Sequence, residues 1–539
     1  MSGARTPHAS ALLVLALALP ACTGGGEPAP PPAAADSPAA APAPSGTADA
    51  PVQSTTPVVQ RTLPVPGGTI EVGLHPLTRV PGPAGVGELV VLTLDVAAGT
   101  QDPGSTDPPL LRNAFLDPSN EDRRGPAGAL RLLDLRGDRA HLLARDAEGE
   151  GLTTAYSPFR DPEPGRPSRL QAVFAAPPAD VGELAVLVPR TGLVDALPVV
   201  DGPVPPPVAP GGSGEPQPLA LDAVADAAVR PLEAYSEDLS GSLRTEATAE
   251  QAQVALAADV LFALDSARLT PQADAVLRAA VADLQTREPG PVAVVGHTDD
   301  QGADAYNLDL SRRRAQAVAD ALDPLLGGDY PLTVEGRGES EPAVEGTSPQ
   351  ARARNRRVAL TVSSPLSASP PPARDTALPP APELTAPGAD GVVVETGNGW
   401  PFDVRAAQAR RVQGHLVVDV EITARPAPGA PGLPPSPLML GTFRDPRDFG
   451  VTDGGDTARG TVLLQGSTAV FPLFVPVTAA PSPRVCACGL GLGGSLLAGQ
   501  TLVASVVYPR VPTGPTVTLQ STAVTSSDVA FRLTDVPVA

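Results

Sequence analysis

The chain is 539 residues long, more than one ordinary domain needs and enough for about three of typical size. Proline (68) and glycine (53) make up about a fifth of it, which predicts folded modules joined by extended linkers. The formal net charge is −21 and all 38 basic residues are arginine, so the chain lacks the positive field that phosphates require, and no nucleic-acid partner is expected.

Residues 1–22 read as an export segment: Arg5 gives a charged start, and the apolar run Ala11 to Leu19 is too short to span a bilayer. It ends in Leu19-Pro20-Ala21-Cys22, which resembles the lipobox of bacterial lipoproteins, with Pro20 as a departure at the second place. The resemblance implies acylation of Cys22, a membrane partner reached through the lipid, and an exported protein facing the cell wall from either the cytoplasmic or the outer membrane. Residues 23–62 form a Pro/Ala-rich tether that cannot bury a core and is expected to be disordered. Its coil spans roughly 35 Å, and its reach is on the order of 130 Å.

Residues 63–201 hold short apolar runs (Glu88 to Asp95, Ala129 to Asp134, Leu170 to Phe174, Glu183 to Val188) separated by Pro, Gly and Asp, and no helical period is sustained. This predicts a first β-sandwich module. Residues 202–249 are expected to be a linker and connecting segment, and 364–389 a Pro-rich linker. Residues 390–539 repeat the first module's features in order, at an offset of roughly 340 residues on the scale of one to two domains: His415 to Glu421 matches the first long strand, and Thr461 to Gln465 matches Leu130 to Asp134. Both modules resemble the immunoglobulin-like modules of exported actinobacterial lipoproteins. Cys486 and Cys488 lie only in the second; in an oxidising compartment they are expected to form a disulfide, the alternative being two small core residues. The five histidines are scattered, so no metal is expected, and no cofactor.

Between the modules, at 250–363, the grammar changes. Val254 to Leu264 reads as a strand. Thr270-Pro271 is expected to open a helix, with Thr270 as its N-cap, carrying Ala273, Val276, Leu277, Ala280 and Leu284 on one face until Pro289-Gly290. Val292 to Val295 is a buried strand, and a second helix from about Ala305 to Leu322 is expected to bury Leu308, Ala315, Ala319 and Leu322. Strands at Leu332 to Glu335 and Val358 to Val362 complete an α/β sandwich. The expected fold class is therefore multi-domain: a central α/β sandwich with a mixed sheet and two main helices, flanked by two all-β immunoglobulin-like sandwiches.

The central segment carries Val260 to Leu269 (VLFALDSARL), Gly296 to Gly302 (GHTDDQG), Tyr306 to Ala315 (YNLDLSRRRA), Gly336 to Pro342 (GRGESEP) and Asn355 to Val358 (NRRV). These motifs, in this order, resemble the OmpA-like C-terminal domain, which family members use to bind peptidoglycan. The chemistry is legible beside the resemblance. Asp299 and Asp300 follow a buried strand, where ligands collect in open α/β sheets. Asn307, Ser311 and Arg314 stand at i, i+4 and i+7 on one helical stripe. A carboxylate and a guanidinium held close together suit a zwitterionic ligand group, such as the free end of meso-diaminopimelate in a stem peptide.

The resemblance implies that Asp299 takes the ligand ammonium, Arg314 its carboxylate, and Asn307 and Arg356 the rest of the peptide. The family's second acidic position is Ala263 here, with Asp265 as a substitute. The alternative for Asp299 and Arg314 is an ordinary ion pair. Arg312, Arg313 and Arg357 are expected on solvated faces, and His297 as a packing or loop-orienting residue. With no catalytic constellation in sight, the expected function is non-catalytic attachment of membrane to wall, with possible envelope protein partners on the β-sandwiches. The rival is an envelope carrier or enzyme whose ligand site lies in a β-sandwich.

Overall fold

A computed structural model of the chain describes residues 56–65, 67–101, 130–154, 168–208, 218–367, 377–395, 399–426, 458, 460–476, 484–488, 496–521 and 530–539. The expected export segment with Cys22, and the expected tether up to residue 55, lie outside them.

The first β-region is organised on the strand Glu88–Gln101. Its stretch Leu89 to Leu94 is buried on both faces, which is why it reads as a continuous apolar run rather than an alternating one. It pairs antiparallel with Gly68–Leu74, Leu77–Pro81 and Ser168–Ala175. The sheet continues from Leu77–Pro81 through Gly192–Asp201, Glu183–Val188 and Arg131–Asp134 to Arg139–His141.

The second β-region repeats this connectivity. His415–Ala424 takes the central place and pairs with Pro401–Arg405, Ala409–Val412 and Thr501–Tyr508. The hairpin Thr461–Gln465 with Thr468–Val470 corresponds to Arg131–Asp134 with Arg139–His141. Thr516–Ser521 and Phe531–Pro537 correspond to Glu183–Val188 and Gly192–Asp201. The order and most of the pairing match, but where Leu77–Pro81 pairs in parallel with Gly192–Asp201, the halves of the second region lie in separate sheets and share, among the described residues, a single bridge, Ala409 to Val538.

The segment expected as linker, 202–249, supplies strands to both regions. Val229–Pro231 pairs with Arg139–His141, the last hairpin strand of the first region. Ala234–Asp238 then pairs with Thr468–Val470, the equivalent strand of the second. From there the chain runs through Leu243–Ala247 and Ala252–Ala257 into the central region, so one 11-stranded sheet joins the two. Its order is Leu332–Gly338, Val292–His297, Arg357–Val362, Ala252–Ala257, Leu243–Ala247, Ala234–Asp238, Thr468–Val470, Thr461–Gln465, Thr516–Ser521, Phe531–Pro537 and Leu384–Pro387. The two β-regions also meet face to face, burying Leu133, Leu187, Val417, Leu473, Val485 and Val507 together.

The central region packs helices α1 (Ala258–Leu261), α2 (Ala273–Leu284), α3 (Asp304–Leu326) and α4 (Pro349–Asn355) with its strands. Its core joins Val254, Leu256, Leu277, Leu284, Val294 and Leu322. Helix α3 crosses the sheet so closely that a Cβ on Gly296 would lie 2.0 Å from the Ser311 carbonyl oxygen, and one on Gly336 would lie 2.4 Å from the Arg312 nitrogen. Only glycine admits that approach.

Four local expectations are corrected. The strand expected over Val254 to Leu264 ends at Ala257, and α1 follows. Thr270 is not the N-cap of α2; its hydroxyl donates to the Val260 carbonyl at 2.8 Å, and the helix starts three residues later. Leu308 is 52% exposed, because the inward face of the first turns of α3 carries Asn307, Leu310, Ser311 and Arg314 instead. Helix α4 was not expected at all; its signal is Ser348-Pro349, the Ser348 hydroxyl accepting from the Ala351 N–H at 3.1 Å with proline at the helix start.

Candidate functional site

The inward polar face of α3 meets the end of strand Val292–His297, the loop after α1, and α4. Asp299 follows the strand and is 9% exposed. Its Oδ2 accepts from Arg356 Nη1 at 2.6 Å, and its Oδ1 accepts from the Gln301 N–H at 3.2 Å. Arg356, just past α4, uses its other nitrogens on Asp259 of α1, at 2.8 and 2.6 Å. One guanidinium thus ties three elements together: the strand end, α1 and α4. One turn earlier, Arg352 makes the equivalent fork to Asp300, at 2.6 and 3.1 Å. That pair holds the Asp300 carboxyl below its usual range through the hydrogen bonds Arg352 donates.

Asn307 is buried, and its Nδ2 donates to Gln301 O at 3.1 Å and to Glu339 Oε2 at 2.7 Å. Ser311, expected on the ligand stripe, is wholly buried and structural. Its hydroxyl donates to Leu308 O and accepts from the Gly338 N–H, both at 2.9 Å, which pins α3 to the edge strand.

Arg314 is different in kind. It is 6% exposed, its Nε donates to Ser266 O at 2.9 Å, and its guanidinium carbon lies 5.3 Å from the centre of the Phe262 ring. Among the described residues it pairs with no carboxylate, and its two terminal nitrogens have no hydrogen-bond partner. The alternative of an ordinary Asp299–Arg314 ion pair is therefore not what forms; Arg356 takes Asp299. Burial lowers the Arg314 pKa from its usual value, against the pull of Asp259, Asp265 and Tyr306 and with the push of Arg356.

The other expected residues fall as follows. Ala263 and Asp265 are exposed in the loop after α1, Asp265 at φ 52°. Arg312 is exposed, and Arg313 forms an exposed pair with Asp309 at 2.8 Å. Arg357 is half-buried rather than solvated, and burial brings its pKa down to about 10. His297 is 3% exposed with an unpartnered Nδ1; burial, helped by Arg357 and Arg337, lowers its pKa to about 3, so the ring is neutral. Cys486 and Cys488 are joined by a disulfide, both buried in the core of the second β-region.

Sequence reading missed Asp259, Glu339 and Arg352. Arg352 and Arg356 carried a usable signal, an i, i+4 spacing downstream of Ser348-Pro349; Asp259 carried none, since it sat inside an apparent strand.

Residues 261–356 match the OmpA family. The putative lipoprotein YfiB of Escherichia coli K12 is 37% identical over 109 residues, covering 20% of this chain and 67% of that protein. The chain belongs to the OmpA family. Outer membrane protein A of Escherichia fergusonii is 40% identical over 97 residues, covering 17% of this chain but only 39% of that protein. Among solved structures, the cell wall anchor of the Pseudomonas aeruginosa type VI secretion system is 33% identical, with 23% of this chain and 90% of that chain covered and a TM-score of 0.21. The OmpA match contains the last residue of α1 and the whole of α2, α3 and α4, and both β-regions lie outside it.

Proposed function

We propose that this protein is a non-catalytic cell-envelope component that binds peptidoglycan non-covalently, and that its OmpA region takes the free zwitterionic end of meso-diaminopimelate in the stem peptide. The observation that carries the reading is Arg314: a buried guanidinium with both terminal nitrogens uncommitted, two nitrogens that match one carboxylate in a bidentate fork. Asp299 supplies the opposite charge for the ammonium. Arg356 holds Asp299 in place and borders the peptide. Asn307, whose amide nitrogen is committed to Gln301 and Glu339, offers its carbonyl oxygen. The relatives named a lipoprotein and an outer membrane protein support an envelope setting.

On this reading an acyl group on Cys22 holds the membrane, and the N-terminal tether gives the folded part reach. The immunoglobulin-like β-regions act as spacers and docking surfaces. The test is co-sedimentation of the full chain with purified sacculi. Retention on diaminopimelate-type wall is expected, with clearly weaker retention on wall that has lysine at the third stem position, since lysine lacks the carboxylate that Arg314 needs. Equal retention on both overturns the assignment of Arg314.

A further inference from the structure

Asp300 and Asp299 are held by Arg352, within α4, and by Arg356, just past its end. What holds α4 in turn lies partly outside the OmpA match. The helix is seven residues long, and its buried residues are Ala351 and Asn355. A helix so short is not stable by itself, so its placement comes from its contacts. Ser348 caps its start. At its end the Asn355 amide donates to the Val344 carbonyl at 3.0 Å and accepts from the Val344 N–H at 2.9 Å.

The arginines of α4 work in two directions. Arg352 and Arg356 are four apart and share one side, toward Asp300, Asp299 and Asp259. Arg354 lies two residues from each, and so on the opposite side. Its Nη2 stands 3.6 Å from Glu237 Oε1, with 21% and 23% of the two side chains exposed. Glu237 belongs to the strand Ala234–Asp238 of the connecting segment, ahead of residue 261, where the OmpA match begins.

Glu237 is itself fixed. Its Oε1 accepts from Arg244 Nε at 3.0 Å, and its Oε2 from the Tyr235 hydroxyl at 2.6 Å. Tyr235 is buried, and its ring centre lies 5.2 Å from that of Phe471 in the second β-region. The strand that carries Glu237 pairs with Thr468–Val470, and the Ser467 hydroxyl donates to Asp238 Oδ2 at 2.6 Å. A chain of contacts therefore runs from the second β-region through Glu237 and Arg354 to α4, and from α4 to Asp299 and Asp300.

We propose that Glu237 and Arg354 are positioning residues for the ligand site: they brace α4 from the side opposite Arg352 and Arg356, and so set the place of the Asp299 carboxylate from outside the OmpA match. A binding constellation depends on the residues that hold its side chains in place. The inference rests on the peptidoglycan reading above, and it makes the connecting segment part of the binding unit.

The experiment measures binding isotherms of the full chain on diaminopimelate-type sacculi, at a temperature where circular dichroism shows every variant folded. Arg354→Ala and Glu237→Gln should each weaken binding by about three- to fivefold, the scale of one partly exposed ion pair. The double variant should bind about as well as the weaker single one, because both changes remove the same contact. Arg354→Lys, which keeps the charge, should restore most of the loss. Arg410→Ala is the control: it costs stability where the two β-regions meet, and it should leave binding unchanged. If Arg354→Ala and Glu237→Gln bind like wild type while Arg314→Ala does not bind, the bracing role is overturned and the peptidoglycan reading stands. If Arg410→Ala weakens binding as much as they do, the effect follows general stability, and the bracing role is overturned again. If wild type itself is not retained on sacculi, the peptidoglycan reading fails, and this inference falls with it.

Discussion

Two regions of this molecule set an arginine among carboxylates, and they use it in opposite ways. Where the β-regions meet, Arg410 commits every nitrogen: Nε and Nη2 to Asp195 at 2.8 and 2.7 Å across the contact, and Nη1 to Asp419 at 2.6 Å. In the OmpA region, Arg314 is more deeply buried and commits only Nε, to a backbone carbonyl. Desolvating a guanidinium is expensive unless something answers its charge. Arg410 is answered within the chain, so its work is to hold two regions together. Arg314 is answered in part by the Phe262 ring and by more distant carboxylates, so its remaining capacity is for a group from outside.

The sharpest way to break this comparison is to remove each arginine in turn. Arg314→Ala should weaken retention on diaminopimelate-type sacculi by roughly 10- to 150-fold, the equivalent of about 1.5–3 kcal/mol, because it deletes a charge-assisted contact to the ligand. Its thermal unfolding should change little. Arg314→Lys should lie between, since an ammonium cannot reproduce the fork. Arg410→Ala should do the reverse: unchanged sacculus retention and a loss of about 1 kcal/mol in resistance to unfolding, since the Asp195 and Asp419 side chains are 42% and 36% exposed and water can take the place of the guanidinium. Asp299→Ala belongs to both classes. It should abolish measurable retention, yet it also frees Arg356 Nη1 from the Asp299 carboxylate it holds at 2.6 Å, so the fold is weakened although Asp259 still anchors the other nitrogens. Circular dichroism on each variant separates lost ligand from lost fold. If Arg314→Ala and wild type sediment alike with sacculi, the uncommitted guanidinium serves something other than the wall.

What the sequence made legible follows the same division between strong local patterns and long-range assembly. The strands with apolar runs, Glu88–Gln101, Glu183–Val188 and His415–Ala424, were readable because both faces or one whole face are buried. Asp299, Asn307 and Arg314 were readable because strand-end and helical spacing place them on one side of the central region. The joining of the regions was not. Val229–Pro231, Ala234–Asp238 and Leu243–Ala247 are short, mostly half-buried strands rich in Glu, Asp, Arg and Ser, and such strands carry no apolar run to announce them. Leu308 was misplaced for a related reason: a hydrophobic-periodicity argument assigns the apolar residue to the core, while here the first turns of α3 bury Asn307 and Arg314 and leave Leu308 outside. Arg356 was identified, but its double engagement with Asp259 and Asp299 depends on α1, which the sequence had hidden within a strand.

A smaller effect sharpens the contrast between the two β-regions, which share most of a topology but not a cross-link. Cys486 and Cys488, two residues apart, are bonded only in the second. So short a loop removes little freedom from the unfolded chain, about 1.5 kcal/mol on the loop-entropy estimate. Cys486→Ala with Cys488→Ala should lower resistance to unfolding by that order and no more. Mass spectrometry of the unreduced peptide should show the bond intact, and two free thiols there would remove it from the account.

The last contrast concerns two buried histidines. His415, at the junction of the regions, sits on the Asp138 carboxylate at 2.9 Å. His297, two residues before Asp299, has among the described residues no carboxylate partner on its ring nitrogens, and it faces Arg357 and Arg337, with Glu335 opposing them. Its folded pKa of about 3 lies below the value of 6.5 that the unfolded chain would show. Between those two values the unfolded chain binds a proton that the folded one does not, so stability is full above about pH 6.5 and falls as pH drops toward 3. From pH 7.5 to 5.5 the loss is about 1.4 kcal/mol for this one group. It should be felt in the strand Val292–His297 before it is felt elsewhere. Amide hydrogen exchange in that strand, compared at equal pH between wild type and His297→Gln, measures it: protection in the wild type should decline relative to the variant as pH falls. A wild-type protection that tracks the variant across this range would mean that His297 accepts its proton without penalty, and that the Arg357 and Arg337 charges beside it are answered from elsewhere in the site.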